Sequence, residues 1–365
     1  MRHLACIALL LVVGCLRTAE SRTRSEETVG IDQAAGISFR VQDGLAQITG
    51  AGDGYLGMWA QSPVLRIDGQ VDATAATQWT IEVDNCLSDA VLTATLDGAQ
   101  VAVTQRPDRR PTLRSWQFTL PSPPTGALVL SLSPPDSDDL TPWRFAAMAD
   151  IQQGLNTVHQ MFERINAEPD VRFVVAMGDL VEDGEEYEYE KLVEQYKTLN
   201  VPFYATIGNH ELKGSPEQWQ RRFGLFNVHF TFRGVAFSLV DSGNATIDPI
   251  VYDRLDGWLA QAQNDLHVFL THIPPIDAIG IRAGAFRSRN EASKLLTKLA
   301  DGNVDLTLYG HIHSFYDYTN AGIPAYISGG GGATDESLDG IERHFLVMDA
   351  DPQAQTIGVT KVSVD

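Results

Sequence analysis

The chain has 365 residues, enough for two domains, with 44% hydrophobic and 20% charged residues, a composition that folds into globular units. Its formal net charge of −20 excludes a general nucleic-acid-binding surface, which needs a basic face. An anionic substrate stays compatible with that charge if a metal ion supplies local positive potential.

Residues 1–15, "MRHLACIALLLVVGC", place Arg2 ahead of an apolar run too short for a transmembrane helix, the pattern of an export signal. The segment "VVGC" resembles the lipobox of bacterial lipoproteins and ends at Cys15, which would then carry the lipid; a plain secretory signal cut slightly later is the alternative. The expected location is the bacterial cell envelope, membrane-anchored through the lipid, or simple secretion. Residues 16–35 are polar and are expected to form a flexible tether. With Cys6 in the signal and Cys15 acylated, Cys86 has no partner and is expected to pack as a small apolar residue in a strand.

Residues 36–138 alternate short strand-like segments ("VLRIDGQV", "TQWTIEVD", "AVLTATLDG", "SWQFTL", "GALVLSLS") with Gly, Asp, Asn and Pro turns. This spacing predicts an all-β sandwich of immunoglobulin or fibronectin type. No site-like cluster stands out there. The stretch "SPPDSDDLTP" at 133–142 marks the boundary.

Residues 143–365 change period. "WRFAAMA" reads as a strand; Leu155, Val158, Phe162 and Ile165 form a helical stripe; "VRFVVAM" is a strand, 185–200 a helix and "VPFYATI" a strand. A hairpin follows, turning at Arg233 and Gly234, then two helices, each leading into a strand, "HVFLTH" and "VDLTLY". Strands dominate the tail. The mix predicts a layered α/β architecture with two central sheets.

Five of these strands finish in Asp, Asn or His: Asp150, Asp179, Asn209 with His210, His272, and His311 with His313. Ligands of α/β sheets sit beyond the carboxyl ends of strands, and carboxylates and imidazoles are ordinary ligands of Zn, Mn and Fe. The ordered set "GD", "GNHE", "H" and "GHIH" after an upstream Asp strand resembles the calcineurin-like metallophosphoesterases over roughly 143–350. The resemblance implies a four-layer α-β-β-α fold and two divalent or trivalent metal ions (Mn, Fe or Zn). Asp150, Asp179 and His313 would hold one; Asp179, Asn209, His272 and His311 would hold the other, with Asp179 bridging. His210 would face the substrate and protonate the leaving oxygen or stabilise its charge. Where the family has Asp-x-His, this chain has Asp150-Ile151-Gln152, and Gln152 offers only a neutral amide oxygen to the first metal. Two cations close together can clamp both oxygens of a phosphoester displacement and activate a bridging water.

The expected activity is hydrolysis of a small or macromolecular phosphoester, monoester or diester. The alternative is an exported binding or scaffold protein that kept the fold and lost turnover, a reading that Gln152 favours. Glu182 and Asp183 are read as shaping their loop. His159, His229, His267 and His344 match no motif and are read as structural or exposed. The glycine run at 329–332 either permits close backbone approach to a ligand or forms a mobile loop. The sequence contains nothing that sets the oligomeric state.

Overall fold

The computed structural model describes residues 16–280, 284–338 and 340–364. The export signal, Cys15 included, lies outside the described residues. The first half is all β. One sheet orders its strands Ile31–Ala34, Ile37–Val41, Leu65–Val71, Gly126–Ser133, Val91–Leu96 and Ala99–Val101; the other has Ala46–Gly52, Tyr55–Ala60, Gln78–Asp84, Leu113–Thr119 and Val103–Gln105. Leu65–Val71 and Gln78–Asp84 alternate buried with more exposed positions, as a strand with one face in a core must. Their inward residues, Ile67, Trp79 and Ile81, join Phe39, Trp116 and Leu130 in one core. Phe39 meets Trp79 edge to face, ring centroids 5.3 Å apart, and the Trp79 indole N–H donates to the Ala76 carbonyl. Several strands escaped the pattern: Ile31–Ala34 is largely exposed, Tyr55–Ala60 is interrupted by Gly57, and 99–105 offers only short edge pieces.

The second half stacks two sheets between helices. In the first sheet Trp143–Met148, Val171–Met177 and Phe203–Thr206 run parallel, continued on the other side by His344–Asp351 and Thr356–Ser363. In the second, Val235–Val240, Leu266–Thr271, Leu306–Tyr309 and Ile323–Ser328 run parallel between the antiparallel edges Val228–Phe232 and Phe315–Asn320. Their apolar runs are buried on both faces, which is why they lack alternation. Between the sheets lies an aromatic cluster of Trp143, Phe145, Phe173, Phe230, Phe232 and Phe237. The helices Val158–Asn166, Glu186–Tyr196 and Glu217–Phe223 cover the outer face of the first sheet, and Pro249–Gln261 and Arg289–Asp301 that of the second. The result is the expected α-β-β-α core behind an all-β region. The hairpin turns where expected: Arg233 and Gly234 both have positive φ (49° and 70°), the backbone of a tight hairpin turn.

The tether is a correction. Thr18 caps a helix at Ala19–Ser25 through a capping box with Ser21. Arg22 is fully buried; its Nε donates to Asp241 Oδ2 at 2.7 Å, and its Nη2 to Asn244 Oδ1 at 2.9 Å. Glu26, also buried, accepts from the Phe226 and Asn227 backbone N–H groups and pairs with Arg254. The segment reads as polar because its charges are meant for partners some two hundred residues away. Cys86 lies buried just past the Gln78–Asp84 strand, where burial pushes its thiol up.

Two unmatched histidines form a buried polar chain on the second sheet. His229 stacks flat on Trp258, its Nδ1 is 3.0 Å from Ser238 Oγ, and that oxygen is 2.9 Å from His267 Nε2. Burial pushes His267 down to about 3 and His229 to about 4, from an ordinary 6.5. Below pH 6.5 the unfolded chain therefore takes up protons that the fold refuses. Stability is expected to fall between about pH 6.5 and 4, by a few kcal/mol. Urea midpoints at pH 7 and about 4.5 measure this; His267→Gln should flatten the slope, and an unchanged slope would assign the loss to other groups.

Candidate metal centre

Each candidate side chain stands just beyond the carboxyl end of a parallel strand. Asp150 follows Trp143–Met148, Asp179 follows Val171–Met177, Asn209 and His210 follow Phe203–Thr206, His272 follows Leu266–Thr271, and His311 and His313 follow Leu306–Tyr309. Asp150, Gln152, Asp179 and His311 all adopt positive φ (62°, 42°, 53° and 70°), a conformation that costs non-glycine residues energy and turns the chain sharply back over the sheet ends. Gly208 permits the closest approach: a Cβ there would lie 2.2 Å from Asp179 Oδ1.

Asp179 is the hub. Its Oδ1 accepts from the His210 backbone N–H at 2.8 Å, and its Oδ2 lies 3.1 Å from His272 Nε2 and 2.9 Å from the Gln152 amide nitrogen. Ligand atoms of Asp179, His272 and His311 all fall within 4.8 Å of one another. Asn209 Oδ1 is 3.1 Å from His272 Nε2. On the other side, His313 Nε2 stands 3.2 Å from the Gln152 amide nitrogen and 3.5 Å from Asp150 Oδ1. The side chains expected at the site thus stand together beyond the strand ends.

Three imidazoles are oriented the same way. The Nδ1 atoms of His272, His313 and His210 lie 2.7, 2.6 and 2.7 Å from the carbonyls of Met177, Thr334 and Glu182. A carbonyl can only accept, so each Nδ1 carries a proton and each Nε2 points inward, the arrangement of metal-ligating histidines. Asp150 Oδ2 accepts from the His311 N–H at 2.9 Å, whereas its Oδ1 is buried with no hydrogen-bond partner. An orphaned carboxylate oxygen among inward-facing nitrogens suits a cation, so the donor set fits the metal chemistry. Burial would push Asp179 up, but the His272 charge beside it holds the carboxyl below its usual range. Burial would lower His272 in turn, and the Asp179 carboxylate lifts it to about 9.

Glu211 has a part that the motif reading left unassigned. Fully buried, its carboxylate accepts from the backbone N–H groups of Gly208, Asp179 and Leu180, tying two of the loops together. Burial and the Asp179 charge push it up to about 7. Its place next to His210 in "GNHE" was the only signal in the sequence. Glu182 shapes its loop as read, and does so by accepting the His210 ring proton on its carbonyl while its carboxylate holds Lys213. Residues 329–332 pack against the chain itself: Gly331 N–H donates to the Ala149 carbonyl, and a Cβ on Gly330 would lie 2.2 Å from His344 Nδ1. His344 is fully buried there.

Residues 144–315 match the profile of the calcineurin-like phosphoesterase family. Among curated proteins, the chain is 26% identical over 180 residues to the 3′,5′-cyclic adenosine monophosphate phosphodiesterase CpdA of Haemophilus influenzae, covering 44% of this chain and 62% of that protein. It is 24% identical over 153 residues to a 3′,5′-cyclic-nucleotide phosphodiesterase of Nostoc, covering 40% and 57%. The chain thus spans about three-fifths of the length of these relatives. Among solved structures, yellow lupin purple acid phosphatase PPD1 superposes with a TM-score of 0.53 at 14% identity, covering 83% of this chain and 70% of that one. GAP50, the anchor in the inner membrane complex of Plasmodium, gives 0.50 at 18% identity, covering 62% and 85%. Those two likenesses speak to fold alone. Profile and strand-end residues agree in a calcineurin-like phosphoesterase region at residues 144–315, within the α/β core that follows a β-rich region.

Proposed function

We propose that the protein is a metal-dependent phosphoester hydrolase, working at a centre in which Asp150, Gln152, Asp179 and His313 face one metal position and Asp179, Asn209, His272 and His311 the other. The observation that carries the reading is the convergence of Asp179, His272 and His311 within 4.8 Å, with the His272 ring fixed nitrogen-inward by a backbone carbonyl. Bound metals of this kind supply Lewis acidity at the phosphoryl oxygens and an activated water. The protein's own residues do the rest. Glu211 holds Gly208 and Asp179 in register. The Glu182 carbonyl and carboxylate, 2.7 and 3.4 Å from His210 Nδ1, aim His210 Nε2 at the site, where it stabilises or protonates the leaving oxygen. No helix among the described residues is long and apolar enough to cross a membrane; export, with a lipid on Cys15, is proposed on the "VVGC" segment.

Purified protein supplied with Mn²⁺, Zn²⁺ or Fe²⁺ is expected to cleave an aryl phosphate, a bis-aryl phosphate or 3′,5′-cyclic AMP, the last chosen for the curated relatives, and a chelator should abolish this. Metal bound without turnover on any of the three would favour the binding or scaffold reading, for which the Gln152 amide is the supporting observation. His210→Ala is expected to keep its metal while losing about 10²–10³-fold in kcat, since the lost group acts in the transition state. Elemental analysis beside kinetics checks this; an emptied site would make His210 structural support.

A further inference from the structure

Gln152 does more than offer a poorer ligand. Its side chain is buried, and its amide nitrogen sits between two acceptors, 2.9 Å from Asp179 Oδ2 and 3.2 Å from His313 Nε2. The orientation of that amide follows from its neighbours. His313 has its ring proton on Nδ1, against the Thr334 carbonyl, so Nε2 presents a lone pair. Rotating the amide by a half-turn would press its oxygen against that lone pair and against a carboxylate oxygen, both repulsive. The NH₂ therefore occupies the space between Asp179 and His313 and satisfies, by hydrogen bonds, the two atoms a cation there would use. The same Asp179 Oδ2 lies 3.1 Å from His272 Nε2, and toward His272 the donors already converge: Asp179, His272 and His311 form a group of ligand atoms within 4.8 Å, the only such group of His, Cys, Asp and Glu among the described residues.

From this asymmetry we infer that the centre retains one metal ion tightly, at the Asp179–Asn209–His272–His311 position, while Gln152 acts as an amide plug that leaves the neighbouring position a weak, exchangeable site for a second divalent cation. The second position keeps some affinity, because Asp150 Oδ1 is buried without a partner and only 3.5 Å from His313 Nε2. Binding there requires the amide to swing out of its two hydrogen bonds, or to turn its oxygen to the incoming ion, and either step lowers affinity. This inference rests on the metal-centre reading above, and it concerns occupancy rather than turnover.

The test counts metal without substrate. Metal-stripped full-length protein is loaded with Mn²⁺, desalted, and analysed for bound metal and by low-temperature electron paramagnetic resonance, and Mn²⁺ titration calorimetry follows the second equivalent. The expected result is about one Mn²⁺ retained per chain with the spectrum of an isolated ion, and a second equivalent taken up only weakly. Gln152→His replaces the plug with a ligand; it should tighten the second equivalent by about 10–100-fold, the usual reach of a change of this kind beside a metal, and yield an exchange-coupled spectrum. Gln152→Ala removes the plug without adding a ligand and should tighten the second equivalent less than Gln152→His; circular dichroism confirms that both variants are folded. Two tightly retained ions in the parent protein, or a folded Gln152→His still holding one, would overturn the inference and leave the phosphoesterase reading standing. No retained metal at all would overturn both, and one retained metal without hydrolysis would overturn only the phosphoesterase reading.

Discussion

Asp179→Asn is expected to empty the metal centre and to cost at least about 10²–10³-fold in kcat/KM on whichever phosphoester proves cleavable. The side chain is 1% exposed and every neighbour addresses it as an anion: the His210 backbone N–H, His272 Nε2 and the Gln152 amide all point at its oxygens. Asparagine keeps the shape and removes the charge. Its NH₂ must also face either the His210 N–H or His272 Nε2 together with the Gln152 amide, so donor meets donor on one side or the other. His272, lifted to about 9 by the carboxylate, loses the partner that holds it. Because Asp179 is the residue shared by both proposed positions, its loss differs from that of Asp150, which would leave Asp179, His272 and His311 assembled. Elemental analysis and steady-state kinetics decide it, with circular dichroism to show that the fold persists. A variant that keeps its metal and more than about a tenth of the activity would place the chemistry elsewhere.

The second large effect is on stability. Arg22→Met is expected to destabilise the protein by about 3–5 kcal/mol, the usual result of stripping one partner from a buried ion pair. Arg22 and Asp241 are 0% and 2% exposed, 2.7 Å apart, and no water-facing alternative exists for the abandoned carboxylate. At about 2–4 °C per kcal/mol the thermal midpoint should drop by roughly 10 °C. Arg22→Met combined with Asp241→Leu removes both charges and should regain a good part of that loss. Asp241 also accepts from the Gly243 N–H, so the recovery is expected to be incomplete. A single variant melting within about 2 °C of the parent would show that the helix contributes little to the folded unit.

What was legible in the sequence was whatever is encoded locally. A buried parallel strand announces itself as an apolar run, and a polar residue at its end is conspicuous, so the order of residues alone picks out Asp150, Asp179, Asn209, His210, His272, His311 and His313. Turn chemistry was equally local, as at Arg233 and Gly234. Groups whose meaning lies in a distant partner were not legible. Arg22, Glu26 and Glu211 look like ordinary surface charges until Asp241, Asn227 and the Gly208 and Leu180 amides are folded against them. Gln152 was visible as a departure from a pattern, but which end of its amide faces the site depends on the tautomer of His313, and that on a carbonyl at residue 334.

The helix at Ala19–Ser25 also changes how the protein can stand on a surface. A free segment the length of residues 16–35 would give a leash with an average span of about 25 Å, letting the folded unit swing and tumble. Instead Leu16 is buried, its N–H donates to Glu217, and Arg22 locks the next turn to the loop of Asp241 and Asn244, whose Gly243 packs against Gly208. A chain acylated at Cys15, as proposed, would therefore carry its folded unit close to the bilayer with one fixed side toward it, and would meet only what comes to the sides left open.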